Sequence, residues 1–295
     1  MPDCVKIHNK NQPESRQLFM RIPFTKMQGL GNDFIVFDAT QQSLNLTKQQ
    51  RVALADRHFG IGCDQLLFVE ASDKPDVDFG YRIFNADGGE VEQCGNGARC
   101  FARFVSNKKL SNKRKLVVET ASGIIQLYLE EQQKVRVNMG KPEFMPAKIP
   151  FDFHQLQTRY DLTVAKKTYE VGVVSMGNPH VVLLVDDVDT APVKSLGQLI
   201  EKHPAFPLRT NVGFLQIVNQ QQLKLRVFER GTGETLACGT GACAAMVIAK
   251  HWGLIESHVK VQLRGGVLDI QWAGAGHNVW MTGDAVSVFE GIIEL

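Results

Sequence analysis

Short runs rich in β-branched and aromatic residues, often with alternating polar positions, recur along the whole chain. Runs of this length and composition are typical of β-strands. We therefore predict strands at 22–27, 34–38, 65–69, 78–84, 116–120, 123–129 and 134–138 in the first half, and at 181–185, 212–218, 223–228, 259–263, 267–272 and 279–281 in the second half.

Two apolar segments, one in each half, have helical rather than strand character. They span 97–105 and 241–250, and the second is apolar almost all round, as is typical of a buried helix. A third helix is predicted at 46–56, with Thr47 as its N-cap. Many strands around one buried helix in each half predict an α+β fold in which a strongly curved sheet wraps around a central helix.

Each central helix follows a copy of the same motif. The motif reads FNADGGEVEQCGNGA at 84–98 and FERGTGETLACGTGA at 228–242, so its Phe, Gly, Glu, Cys and Ala positions recur 144 residues apart. A second pair, GLGND at 29–33 and SMGNP at 175–179, keeps nearly the same spacing. This internal duplication predicts two pseudo-symmetric domains.

The domain boundaries follow from the linking segments. The segment 138–146 contains Gly and Pro and marks the crossing between domains, and the final segment 286–295 is expected to return to the first domain. We predict a disordered leader at 1–20, a first domain at 21–138 plus 284–295, and a second domain at 139–283.

Composition narrows the function classes. The 295 residues suffice for two domains, and a net charge of +2 gives no case for nucleic-acid or membrane partners. The only basic cluster, at 107–115, is interpreted as a solvated loop. No apolar run is long enough to span a bilayer, and the polar N-terminus lacks the core of a secretory signal. Six cysteines are too few for a disulfide scaffold and indicate free thiols in a reducing cytoplasm.

Cys94 and Cys238 are the candidate reactive groups, because each stands directly before Gly-x-Gly and a helix. A helix N-terminus lowers a thiol pKa, and its free N–H groups suit a carboxylate. Two such sites facing one cleft predict a thiol on either face of a substrate α-carbon. The N–H groups expected to hold the carboxylate are those of Gly95, Asn96, Gly239 and Thr240.

The remaining cysteines are interpreted as incidental. Cys63, Cys100 and Cys243 have ordinary neighbours typical of buried apolar positions, and Cys4 lies in the leader. The spacings from Cys94 to Cys100 and from Cys238 to Cys243 disfavour a zinc site. Neither a metal nor a cofactor is expected.

Several further motifs occur in one fixed order with the paired cysteines. They are GLGNDF at 29–34, GCDQ at 62–65, FNAD at 84–87, CGNGAR at 94–99, SMGNPH at 175–180, RTN at 209–211, ER at 229–230 and ACGTG at 237–241. From about Met20 to the C-terminus, the chain closely resembles the diaminopimelate epimerase family. The resemblance implies a cofactor-independent, cytoplasmic homodimer that interconverts LL- and meso-2,6-diaminopimelate in lysine and peptidoglycan biosynthesis.

The resemblance also assigns roles residue by residue. It implies that Arg230 grips the distal carboxylate of the substrate, and that His180 and Glu229 lie beside the two thiols and tune their protonation. Thr240 stands where the family often has Ser, which keeps the hydroxyl. The other implied substrate contacts are Asn32, Gln65, Asn85, Asn178 and Asn211.

Three alternatives stay open at this level. The first is another isomerase of the same fold, similar to proline racemase or to the phenazine-biosynthesis isomerases. The second is a ligand-binding module without chemistry, which the loss of either motif cysteine would have favoured. The third is a thiol-redox protein, although the chain has no C-x-x-C motif.

Overall fold

A computed structural model describes residues 20–91 and 95–295 of the protein. The predicted leader, except Met20, and Cys94 lie outside the described residues. Within the described part, no helix is both long and apolar enough to cross a membrane.

The first half contains two helices within a mainly antiparallel sheet. In the sequence, helix α2 (Gly95–Asn107) lies between two strands that pair in parallel, β4 (Phe79–Asn85) and β6 (Lys115–Thr120). The elements are β1 (Arg21–Gly29), β2 (Asn32–Ala39), α1 (Lys48–Ala55), β3 (Gln65–Glu70), β4 (Phe79–Asn85), β5 (Glu90–Val91), α2 (Gly95–Asn107), β6 (Lys115–Thr120), β7 (Gly123–Leu129) and β8 (Lys134–Asn138).

The second half repeats this order after a short 3₁₀ turn at Pro146–Lys148. Its additional strands are β9 (Tyr160–Val164), which pairs with β10 (Lys167–Ser175), and β18 (Val286–Glu294), which pairs with β1. The elements are β9 (Tyr160–Val164), β10 (Lys167–Ser175), β11 (Pro179–Leu184), α3 (Val193–Glu201), β12 (Asn211–Asn219), β13 (Gln222–Glu229), β14 (Gly233–Glu234), α4 (Gly239–His251), β15 (His258–Leu263), β16 (Gly266–Trp272), β17 (Val279–Asp284) and β18 (Val286–Glu294).

The pairings reproduce the duplication. Strands β2 and β3 are parallel, and so are their counterparts β11 and β12. Strands β4 and β6 are parallel across α2, and β13 and β15 are parallel across α4. The two halves are therefore copies of one arrangement in three dimensions, as the repeated motif predicts.

Each central helix is enclosed by its sheet because its sequence is apolar on nearly every side. In α4, every residue from Gly241 to Ala249 is buried. In α2, the buried face includes Phe101, Phe104 and Val105, and it also encloses the fully buried Arg99. A helix that is apolar all round is stable only inside a core, so the sheet must curve around it.

The halves join through equivalent strands. Strand β8 ends the first repeat and β17 ends the second, and the two pair antiparallel from Asn138–Trp280 to Lys134–Asp284. Because like strands pair with each other, the pseudo-two-fold axis passes between them. The predicted return of the C-terminal segment is confirmed, since β18 pairs with β1 along its length. The domain boundaries at 139 and 284 stay predictions.

Helix α1 forms as predicted. Thr47 caps it, and the side chains of Thr47 and Gln50 each accept a hydrogen bond from the backbone N–H of the other residue. Helix α3, strands β9 and β10 and the two-residue strands β5 and β14 were not predicted from the sequence. Helix α3 begins after Pro192 without a side-chain cap, so the usual start signal is lacking.

Candidate active site

Cys238 is the N-cap of the central helix α4. Its backbone is extended, and its side chain is buried, with 4% of the residue exposed. The thiol sulfur lies 3.6 Å from Thr240 Oγ1. The sequence therefore placed this cysteine correctly at a helix N-terminus.

The N-termini of α2 and α4 meet at the junction between the halves. Both helices begin with the glycine of the motif, Gly95 or Gly239. A Cβ added to Gly95 would lie 2.9 Å from Met281 Cε, and one added to Gly239 would lie 3.1 Å from Met281 Sδ. The two helix ends therefore lie against the same buried side chain of β17, and a larger residue at either glycine would require Met281 to shift.

A cavity lies beside the N-terminus of α2. It has a volume of about 340 Å³ and is bordered by Gly95, Ser122 and Asn138 of the first half and by Gly177 and Asn278 of the second. The space next to this helix end is therefore shared by both halves.

Asn96, in the first turn of α2, contacts the loop that precedes Cys238. Its side-chain Nδ2 donates to Asn32 Oδ1 at 3.2 Å and to the carbonyl of Ala237, the residue before Cys238, at 3.3 Å. Its Oδ1 accepts from Arg99 Nη2 at 2.9 Å. Asn96 of α2 thus holds the loop that carries Cys238, the N-cap of α4.

The side-chain nitrogen of Asn32 is held by an ionic cluster that was not predicted from the sequence. Asn32 Nδ2 donates to Asp64 Oδ2 at 2.9 Å, and Arg57 Nη2 donates to Asp33 Oδ1 at 2.7 Å and Asp64 Oδ1 at 2.8 Å. Burial acts to raise the pKa of Asp33, but hydrogen bonds from Arg57 and Lys26 hold it well below its usual range. The cluster therefore stays charged and fixes the Asn32 amide.

Glu229 is the acidic neighbour of Cys238. The Thr235 hydroxyl donates to Glu229 Oε1 at 2.5 Å. Burial raises the pKa of Glu229, and its interactions with Thr235 and Cys238 oppose the increase. Glu229 therefore lies close to the thiol, and its role in tuning the protonation of that thiol stays a prediction.

The pKa of Cys238 differs from the sequence expectation. Burial raises it well above the usual thiol value, the negative charge of Glu229 raises it further, and the Thr240 hydroxyl opposes both. The expectation that the helix N-terminus lowers this pKa was wrong, because desolvation disfavours the thiolate more than the helix end stabilises it. In this geometry Cys238 carries its proton.

His180 is a neutral hydrogen-bonding group. Its Nε2 lies 2.9 Å from Asn178 Oδ1, and the ring is fully buried. Burial, followed by the positive charge of Arg230, lowers the pKa of His180 to about 3. His180 is therefore uncharged at neutral pH and orients the amide of Asn178.

Arg230 lies at the exposed rim of the second half. Its backbone N–H donates to Asn211 Oδ1 at 3.0 Å, and its Nη1 donates to the Leu208 carbonyl at 3.2 Å. The buried Asn211 also donates to the Pro179 carbonyl at 2.9 Å. The end of β13 and the start of β12 are therefore tied together beside the guanidinium.

Gln65 and Asn85 are neighbours across β3 and β4. Gln65 Nε2 donates to Asn85 Oδ1 at 2.9 Å. Gln65 Oε1 is buried and has no hydrogen-bond partner among residues 20–91 and 95–295. A buried acceptor of this kind is available to a ligand donor.

The structure brings several candidate residues into two groups. In the first, Asn96 bonds Asn32 and the Ala237–Cys238 loop, and Glu229 lies near Cys238. In the second, Asn211 bonds Arg230. The pairs Asn178–His180 and Gln65–Asn85 have no hydrogen bond between their side chains and either group in the described part of the chain. Cys94 directly precedes Gly95 in the sequence and lies outside the described residues.

Comparisons with known proteins show the family to which the chain belongs. The family model described as diaminopimelate epimerase matches residues 24–145 and 172–288. A diaminopimelate epimerase from Aromatoleum aromaticum is 58% identical over 276 residues, and one from Pseudomonas savastanoi pv. phaseolicola is 55% identical over 276 residues; each alignment covers 94% of this chain and 100% of the relative.

Solved structures with little sequence identity share the fold. A hydroxyproline epimerase from Agrobacterium vitis, solved with trans-4-hydroxy-L-proline, has a TM-score of 0.70 at 12% identity and covers 93% of both chains. A Bacillus anthracis phenazine biosynthesis protein of the PhzF family has a TM-score of 0.65 at 17% identity, covering 93% of this chain and 99% of its own. The predicted α+β fold is therefore confirmed. From the family match and these relatives, the chain belongs to the diaminopimelate epimerase family and is an isomerase.

Proposed function

We propose that the protein interconverts LL- and meso-2,6-diaminopimelate with Cys94 and Cys238 as its two acid–base groups. The observation that carries the proposal is the meeting of two equivalent helix N-termini, each directly preceded by a motif cysteine, against Met281. A substrate α-carbon between these helix ends would have one thiol on each face.

The helix ends supply the site for the reacting carboxylate. The first N–H groups of α2 and α4 belong to the Gly95–Asn96 and Gly239–Thr240 pairs, and N–H groups of a helix N-terminus are free to bind an anion. Removal of the α-proton places negative charge on the carbon and its carboxylate. Preorganised N–H groups stabilise that charge most where water is excluded.

Inversion requires one base and one acid. In one direction of the reaction, the Cys94 thiolate takes the α-proton, and the Cys238 thiol donates its proton to the opposite face of the same carbon. The raised pKa of Cys238 supports its role as the donor. After one turnover Cys94 holds a proton and Cys238 is the thiolate, which is the state that catalyses the reverse reaction. Proton exchange between the two thiols and water restores the starting state for another turnover in the same direction.

The two substrate ends would bind to different groups. We propose that Arg230 binds the distal carboxylate, since a guanidinium fork matches the two oxygens of a carboxylate. The amide groups of Asn32, Gln65, Asn85, Asn178 and Asn211 would complete the contacts. Glu229, which lies beside Cys238, carries the negative charge suited to a substrate ammonium group.

The proposed activity belongs to lysine and peptidoglycan biosynthesis, in the cytoplasm. The four cysteines that the structure describes, Cys63, Cys100, Cys238 and Cys243, are all free thiols. A reducing compartment preserves that state, and the reaction depends on it.

Purified protein should convert LL-diaminopimelate into the meso form without any added cofactor. The measurement is separation of the stereoisomers by chiral chromatography after incubation. Proline and 4-hydroxyproline are the matched controls, because both lack a distal carboxylate for Arg230. Turnover of either compound, together with no meso product from LL-diaminopimelate, would favour the proline racemase alternative.

Replacing either motif cysteine by Ala should abolish epimerisation, because inversion needs a donor and an acceptor on opposite faces. The remaining thiolate can still reach the hydrogen on its own face. In heavy water, slow isotope exchange should therefore persist with one stereoisomer, and the preferred isomer should differ between Cys94→Ala and Cys238→Ala. Cys243→Ala is the control, since this thiol is buried inside α4. Full epimerisation by either motif variant would exclude the two-thiol mechanism.

We also propose that the protein is a homodimer that forms along β18. Among the described residues, β18 pairs along one edge only, with β1. Its side chains include the exposed Val288, Phe289 and Ile292, of which Phe289 is 49% exposed. A long apolar edge strand tends to pair with another chain, and a two-fold axis would let two copies of β18 meet.

Phe289→Asp should convert the dimer into monomers, because it would place two charges in a desolvated, self-complementary interface. Sedimentation velocity at micromolar concentration should give twice the 32.8 kDa chain mass for the wild type and the single mass for the variant. Leu156→Asp, an equally exposed position in a loop, is the control and should stay dimeric. A monomeric wild type, or a dimeric Phe289→Asp, would contradict the proposal.

A further inference from the structure

Glu201 is a buried carboxylate in an unfavourable position. It is the last residue of α3 and only 3% exposed. A buried carboxylate loses its contact with water, and a negative charge at a helix C-terminus opposes the helix dipole. Such a group is retained only where specific partners compensate it.

The partners of Glu201 come from two separate segments. Its Oε1 accepts from the backbone N–H of Gly231 at 2.8 Å and lies 3.6 Å from Arg209 Nη1. Its backbone carbonyl accepts from the N–H of Thr210 at 3.3 Å. Glu201 therefore joins the end of α3 to the loop before β12 and to the turn after β13.

Both of these segments lead directly to substrate residues of the proposed site. Asn211 follows Thr210, and Arg230 precedes Gly231. The backbone is left-handed at both contact points, with φ of +59° at Arg209 and +76° at Gly231. A non-glycine residue in this region is strained and persists only where its surroundings hold it.

Comparison of the two repeats distinguishes a role of Glu201 in the site from a general requirement of the fold. Asn32 and Asn178 are 146 residues apart, and the same spacing relates Glu201 to Ala55, the last residue of α1. The cysteine-motif spacing of 144 relates Arg230 to Ala86. The position equivalent to Glu201 is therefore Ala in the half that has no counterpart of Arg230, and Asp56, the next residue, bonds its own turn at His58 and Phe59.

We propose that Glu201 is a positioning residue for Arg230, acting through the N–H of Gly231. This inference rests on the proposed function, in which Arg230 binds the distal carboxylate. A bidentate guanidinium must be placed within about 0.5 Å of its productive position. Glu201 fixes the peptide that follows Arg230, and Arg230 Nη1 is fixed at the Leu208 carbonyl.

The test compares Glu201 variants in two backgrounds, the wild type and Arg230→Lys. Glu201→Ala removes the acceptor, and Glu201→Gln keeps an acceptor of the same length for Gly231. Glu201→Met fills the same volume without an acceptor and replaces Glu201→Ala if that variant does not fold. Glu170→Ala is the control, because Glu170 is an exposed carboxylate of the same half that pairs with Arg159. The measured quantity is kcat/KM for LL-diaminopimelate.

In the wild-type background, Glu201→Ala should lower kcat/KM about 100-fold, the order expected for misplacing a binding group by about 1 Å. Glu201→Gln should stay within about tenfold of the wild type, and Glu170→Ala should be unchanged. In the Arg230→Lys background, adding Glu201→Ala should lower kcat/KM by a further factor of less than about three, because the group that Glu201 positions is already impaired.

An equal loss in both backgrounds would overturn the proposal, since Glu201 would then act on the fold and not on Arg230. Equal damage by Glu201→Gln and Glu201→Ala would also overturn it, because the acceptor would then be irrelevant. Failure of the proposed function would give a different result from both of these outcomes. In that case the wild type would form no meso product, or Arg230→Lys would retain full activity.

Discussion

The close approach of two helix N-termini over Met281 is the constraint on which the site depends. Each helix begins with a glycine, and a Cβ at either position would come within about 3.1 Å of the same methionine side chain. The antiparallel pairing of β8 with β17 holds that methionine at the junction of the halves. The curved sheets, the buried helices and the cross-connection by Asn96 all serve to keep these two ends together.

The duplication supplies a common backbone, but the side chains have diverged. Glu229 stands where the first half has Asn85, and the buried Arg99 corresponds to Cys243. His180 occupies the place of Phe34. The charged and titratable groups of the two cysteine loops therefore differ, although their helices are equivalent. The proposal that Cys238 carries the proton of the starting state rests on its burial and on the neighbouring Glu229.

Much of the fold could be predicted from the sequence because its signals are local. The hydrophobic periodicity predicted most strands and both central helices, and Thr47 was recognised as the N-cap of α1. Helix α3 lacked a cap, so its end and the carboxylate of Glu201 were not recognised. The ionic cluster of Asp33, Arg57 and Asp64 was missed because its members come from separate segments.

The pKa of Cys238 shows a second limit of sequence reasoning. A cysteine at a helix N-terminus has a local signal for a lowered pKa. The opposite shift comes from depth of burial and from Glu229, and neither quantity is visible before the chain folds. The contact from Asn96 to the loop of Cys238 is likewise a property of the assembled halves.

Mapping of disulfides after mild oxidation tests most directly whether Cys94 and Cys238 face one site. Two cysteines can be bridged only when their Cα atoms come within about 4.4–6.8 Å of each other. Mass spectrometry of the oxidised protein should find one peptide pair joined through Cys94 and Cys238, with activity lost and then restored by dithiothreitol. Loss of activity with the bridge at Cys63, Cys100 or Cys243 instead would contradict the face-to-face arrangement.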